Sequence, residues 1–197
     1  MAEGLGLSTA FALDLTETDA QGRKWDLSDR ATQDRALQEQ DTKTPWLLIA
    51  CPPCNMFSSL QNLSLTQRDE DEYKLQLQEA VEHLAFSVLM CLRQEAAGRK
   101  YLFEHPAAAK SFGTRIVQKL LTEGRGRRIN FDFCQAGMTL KVGNRQVPVK
   151  KRTGIISNSA MLLDTLSKLN CRGLHVHAQL LGAEPLSARC TQTSSAN

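Results

Sequence analysis

The sequence predicts a single α/β domain with a mostly parallel sheet, and three observations carry the prediction. Short apolar runs alternate with helix-favouring stretches along the chain. The length, 197 residues, suits one well-buried core better than two. Hydrophobic residues make up 42% and charged residues 23%, the balance of a globular chain rather than a fibrous or disordered one.

Taken in order, Ala10 to Leu15 is a compact apolar run expected to form a short strand, with Asp14 at its end and a polar turn through Gly22 behind it. Asp29 to Gln40 has a polar, helix-favouring composition that Pro45 stops. Trp46 to Ala50 is continuously apolar, as a strand buried on both faces of a parallel sheet would be. From Asp69 to Ala97, Leu77, Val81, Leu84, Ala85, Val88, Leu89 and Leu92 recur at helical spacing, acidic residues crowd the first turn, and Gly98 follows the end. Tyr101 to Phe103 predicts another strand, broken by Pro106, and Phe112 to Leu121 a helix ended by Gly124. Ile129 to Cys134 and Thr153 to Ser157 supply two more strands and Met161 to Leu169 a last amphipathic helix. No internal repeat occurs. The small, polar tail Thr191 to Asn197 is expected to be disordered, which leaves residues 1–190 as the domain.

Alternating strands and helices imply parallel strands joined by right-handed crossovers, and such sheets bind ligands beyond the carboxyl ends of their strands. Asp14, the run Cys51-Pro52-Pro53-Cys54 and Glu104 each follow an apolar run and are expected to line one rim. The net charge is only +3, but its placement is uneven. Arg125, Arg127 and Arg128 cluster around two glycines, and Lys141, Arg145, Lys150, Lys151 and Arg152 follow, a basic segment able to face phosphates or to stand as a solvated loop. Six scattered cysteines and no signal peptide at Met1 predict reduced thiols in an intracellular protein, cytoplasmic or nuclear, that is not secreted. The longest apolar run, Trp46 to Cys51, is far shorter than the roughly 20 residues of a bilayer crossing, so no membrane partner is expected.

Cys54 stands just after a strand, where backbone N–H groups and a following helix start lower a thiol pKa, and this makes it the candidate nucleophile. Glu104 offers a proton donor and Arg152 a cationic anchor. The stretch Pro52-Pro53-Cys54-Asn55-Met56-Phe57-Ser58 resembles the Pro-Cys-x-x-Phe-Ser motif of cytosine-5 DNA methyltransferases. Phe103-Glu104-His105-Pro106 is similar to their Glu-Asn-Val motif, with His105-Pro106 in place of Asn-Val. Phe131 to Gly137, followed by Lys150 to Ile156, is similar to their later segment with its Arg-x-Arg pair. The likeness spans residues 10–158 and is closest to a compact branch associated with mobile elements.

The resemblance implies a Rossmann-like sheet that lacks the first strand, its glycine-rich cofactor turn and the target-recognition domain. It implies that the Cys54 thiolate adds to carbon 6 of a flipped cytosine in DNA while Glu104 protonates ring nitrogen 3, and that carbon 5 takes the methyl group of S-adenosylmethionine. Arg152 would hold the base or its phosphate, and Phe57, Ser58 and Lys150 would meet the nucleic acid. Asp14 would hold the cofactor ribose, Asp26 the adenine, and Pro52 would line the same cofactor. The competing class is a noncatalytic nucleic-acid- or partner-binding remnant of the fold.

Plainer readings stand beside these. Cys51-x-x-Cys54 is also the pattern of a thiol redox site. Cys51 and Cys54 with His175 and His177 are of acceptable type for zinc, although their separation favours a site without metal. Glu104 could satisfy nearby backbone N–H groups, and Asp14 and Asp26 could be ordinary turn residues. Cys91, Cys134 and Cys171 read as small buried apolar residues.

Overall fold

The structure, a computed structural model, describes residues 8–58 and 69–178. The tail beyond Thr191, Cys190 and the Gly4-Leu5-Gly6 stretch lie outside the described residues. Four helices, α1 (Arg30–Lys43), α2 (Glu70–Ala96), α3 (Arg115–Thr122) and α4 (Ala160–Leu166), are described with six strands. The strands are β1 (Leu47–Ala50), β2 (Lys100–Pro106), β3 (Arg127–Asp132), β4 (Thr139–Val142), β5 (Arg145–Pro148) and β6 (Arg152–Ser157).

The main sheet has the order β1-β2-β6-β3, and β4 and β5 form a separate hairpin. β1 and β2 are parallel, while β6 runs antiparallel to both β2 and β3. The sheet is therefore mixed, against the expectation of a mostly parallel one. The reason is local: β3 and β6 are joined through a hairpin with no crossover helix, so the chain re-enters the sheet in the reverse direction. β1, β2 and β3 still point the same way, and their carboxyl ends share one edge with the start of β6.

Alternation along β2 sets the two layers. Tyr101, Phe103 and His105 are fully buried on one face. That face packs with Leu84, Val88 and Cys91 of α2, Val117 and Leu120 of α3, and Ile156 of β6. Phe131, Ile155 and Leu163 form a smaller cluster on the opposite face with Leu102, Ile129 and Leu166. α2 starts where its sequence predicts: the Asp69 carboxylate accepts from the N–H groups of Asp71 and Glu72, and three acidic residues face the helix's positive end. Gln94, buried near the end of α2, donates to the carbonyls of Pro45 and Lys100 and so ties the helix to the entries of β1 and β2.

Three sequence expectations change. Residues 10–15 form no strand, because the segment curls into a turn at Asp14 instead of pairing. β1 is an edge strand of the described sheet, with Leu48 buried but Ile49 61% exposed, rather than one buried on both faces. The hairpin of β4 and β5 was not anticipated; its signal is Gly143-Asn144 between two short alternating runs, with Gly143 at φ 60, which that tight turn requires.

Candidate functional site

β1 ends at Ala50, paired with Phe103, so the Cys51–Cys54 segment leaves the sheet level with Glu104. A 3-10 turn, Asn55–Phe57, follows, closed by the Phe57 N–H donating to the Cys54 carbonyl at 3.1 Å. Cys54 is half-buried, Cys51 exposed and Pro52 buried.

His105 holds this segment in place. Its Nε2 lies 3.1 Å from the Pro52 carbonyl and its Nδ1 2.6 Å from the Ser111 hydroxyl. A carbonyl only accepts, so Nε2 carries the proton and Nδ1 accepts from Ser111. Burial, with Lys151 a lesser contributor and the Pro52 contact opposing, pushes the imidazole down to about 4, which keeps it neutral. Phe57, expected at the nucleic acid, is instead buried in the core with its ring 5.9 Å from that of His105. Ser58 closes the same 3-10 turn through its N–H.

Glu104 lies in the interior of β2 rather than after it, opposite Ile155. Its carboxylate is mostly buried, and its Oε1 lies 3.3 Å from Lys151 Nζ. Among the described residues no donor is aligned for a hydrogen bond to that oxygen, so the ammonium balances its charge but leaves its lone pairs unfilled. Lys151 is also 4.7 Å above the Phe133 ring.

Arg152 does not join them. It pairs across the sheet with Asp132, its Nη1 3.0 Å from Oδ2. Residues directly opposite in an antiparallel pair share a face, and positions 152 and 155 differ by an odd number, so Arg152 and Glu104 leave opposite faces of the sheet. Lys150 is exposed beside them. The basic segment is thus divided. Arg125 pairs with Glu95 and Arg127 with Asp164, near the start of β3, whereas Arg128 stacks on Phe112 at 3.8 Å and donates to the Ala107 carbonyl just beyond the end of β2.

Asp14 and Asp26 are exposed turn residues. Asp14 accepts from the hydroxyl and N–H of Thr16, and Asp26 from the hydroxyl and N–H of Ser28. Those bonds, the hydroxyl's first, hold both carboxyls below their ordinary range. Both aspartates thus close their own turns through Oδ1, and the Pro52 carbonyl meets His105.

In comparisons with family models, curated proteins and solved structures, nothing matches this chain.

The same edge carries a second constellation. Cys134, in the 3-10 turn after β3, converges with Cys171, His175 and His177 from the segment after α4, with ligand atoms within 4.8 Å of one another. Cys134 and Cys171 are thus half-buried members of a polar cluster, not apolar fillers; Cys91 alone of the three is fully buried, and desolvation raises its thiol pKa steeply. Of the four residues considered for zinc in the sequence, His175 and His177 lie in this cluster and Cys51 and Cys54 do not. The nearer signal was Cys171-x-x-x-His175-x-His177, whose partner Cys134 is 37 residues upstream and visible only once β3 and the last loop are side by side. Among the described residues no helix is long and apolar enough to cross a membrane.

Proposed function

We propose that this domain acts on cytosine in DNA in the manner of a cytosine-5 methyltransferase, with the thiol of Cys54 as nucleophile and Glu104 with Lys151 as the acid pair. The observation that carries the proposal is the Glu104 carboxylate, charge-balanced by Lys151 at 3.3 Å, whose buried Oε1 has no aligned donor and which lies on β2 level with the start of the Cys51–Cys54 segment. A ring nitrogen or exocyclic amine would complete it.

In the proposed step Cys54, its thiol proton lost to water, adds as the thiolate to carbon 6, the C5–C6 π pair shifts into the ring, and nitrogen 3 takes a proton that the Lys151 ammonium gives through the Glu104 carboxylate, leaving Lys151 as the neutral amine. Reversal restores the pyrimidine and the thiol. The target must be turned out of the duplex, because carbon 6 is inaccessible within the stack. Lys150 and Arg152, on the same edge, would neutralise flanking phosphates. S-adenosylmethionine is the methyl donor that this chemistry takes; Asp14, Asp26 and Pro52 have local structural roles, and no step is assigned to it.

The local roles of Asp14 and Asp26 favour a second reading, a noncatalytic nucleic-acid-binding form of the same domain. Duplex DNA with 2-pyrimidinone in place of a cytosine separates the two, because this base accepts a thiol without methyl transfer. The wild-type chain is expected to give a denaturation-resistant adduct and Cys54→Ser none. Binding without an adduct in the wild type supports the second reading, and an adduct with the serine variant removes Cys54 from the reaction.

A further inference from the structure

The geometry points to a structural zinc site formed by Cys134, Cys171, His175 and His177, which clamps the segment after α4 onto the end of β3. Two thiols and two imidazoles are the donor set that zinc takes in closed, four-coordinate sites, and two thiolates would cancel the ion's charge. The spacing fits as well. Cys171 Sγ lies 3.7 Å from His175 Nε2 and 3.4 Å from His177 Nε2. Metal bonds of about 2.3 Å to sulfur and 2.0 Å to nitrogen, at tetrahedral angles, place neighbouring ligand atoms about 3.3–3.8 Å apart. The two imidazole rings stand tilted at 60° with centroids 4.4 Å apart, both turning Nε2 toward the same sulfur.

The surroundings are those of a ligand shell. The Gly173 N–H donates to Cys171 Sγ at 3.3 Å, a bond that steadies a thiolate, and φ 73 at Gly173 gives the turn that brings it there. The Cys171 N–H donates to Asp132 Oδ2 at 2.9 Å, and Asp132 N–H to the Leu169 carbonyl, so the second cysteine is tied to the strand that leads to the first. On the other side, Ala178 bridges to the Pro148–Lys150 segment through two backbone bonds.

The hydrophobic effect does not explain the conformation between those anchors. Residues 170–177 form no helix or strand, and the apolar side chains there, Leu174 and Val176, are 87% and 82% exposed. A loop shaped by burial would turn them inward; this one turns its cysteine and histidines inward and leaves the aliphatic groups in water. A shared metal ion supplies the missing reason. The site uses all four ligands from the protein and leaves no open coordination position, so its role is to hold structure, not to activate water. The inference stands independently of the cytosine reading, since neither Cys54 nor Glu104 takes part.

The test is made on the full chain, stripped with a chelator and titrated with zinc alone. One equivalent is expected to bind, and X-ray absorption at the zinc edge should show two sulfur and two nitrogen ligands. Cys134→Ala and Cys171→Ala should each weaken zinc binding by more than about 100-fold, beyond the loss typical of an outer-shell partner, while Cys51→Ser leaves it unchanged. His177→Cys should retain the ion with three sulfurs and one nitrogen, a readout that a misfolded variant cannot produce. Absence of a stoichiometric equivalent, a shell of only oxygen and nitrogen, loss of binding in Cys51→Ser, or an unchanged two-sulfur shell in His177→Cys would each overturn the assignment.

Discussion

At the scale of single residues, the face from which a side chain leaves β2 or β6 decides what it can do. Glu104 and Lys151 meet on one face, and Arg152 leaves from the other toward Asp132. Adduct formation should therefore respond unequally to substitution. Glu104→Gln removes the acid and should slow it by about 10²–10⁴-fold. Arg152→Ala removes a half-exposed guanidinium that is paired with the buried Asp132 on the face opposite Glu104, and should change the rate by no more than about fivefold. Single-turnover rates on 2-pyrimidinone DNA would measure both; equal losses would show that Arg152 reaches the ring after all. The residue types of Cys54, Glu104 and Arg152 were readable as a nucleophile, an acid and a cation, but the choice between Lys151 and Arg152 depends on strand parity. Two adjacent basic residues in a sequence carry no mark of which will face the carboxylate.

At the scale of elements, β6 depends on a contact that no periodicity displays. Gly154 lies opposite His105 and Asn130 in the sheet, and a β-carbon there would stand 2.8 Å from Phe112 Cζ and 3.1 Å from Asn130 Oδ1. The Phe112 ring sits between β6 and the Arg128 guanidinium and stacks edge-on with Phe103, so it has little room to retreat. Gly154→Ala is expected to destabilise the fold by about 1–3 kcal/mol, seen as a lower urea midpoint without a change in slope. A neutral result would show that the ring moves freely. The helices follow their sequence patterns to within a few residues because caps and spacing are local: Asp29, Asp69, Thr114 and Ser159 each accept a first-turn N–H with their own side chains. The direction of β6 was less legible, since antiparallel entry follows from the hairpin of β4 and β5, and that hairpin is marked by only two turn residues.

For the whole molecule, His105 couples stability to pH. It joins the segment after β1 to the 3-10 turn before α3, and burial holds its imidazole near 4, against an ordinary value of 6.5. Between those values the unfolded chain takes up a proton that the folded chain refuses, so this contribution is complete above about pH 6.5 and is lost as pH falls toward 4. At about 1.4 kcal/mol per pH unit, the loss across the interval is at most about 3 kcal/mol. Urea denaturation followed from pH 7.5 to 4 should show that decline in the wild type and a flatter profile in His105→Asn; parallel profiles would place the pH dependence elsewhere. The same edge of the sheet thus gathers the Cys54 segment, the neutral histidine that seats it, the Glu104–Lys151 pair and the Cys–His cluster.

The sequence by itself determined the α/β alternation, the four helices, the strand cores Tyr101–Phe103 and Thr153–Ser157 beside Glu104 and Arg152, and the presence of a thiol just beyond β1, because these rest on patterns within a few turns of chain. Tertiary structure alone decided that Lys151 and not Arg152 meets Glu104, that Asp14 and Asp26 close their own turns, and that Cys134 belongs with Cys171, His175 and His177. Each of those outcomes requires distant segments to lie side by side in a defined register, and register is settled by packing across the sheet, not by the order of residues along it.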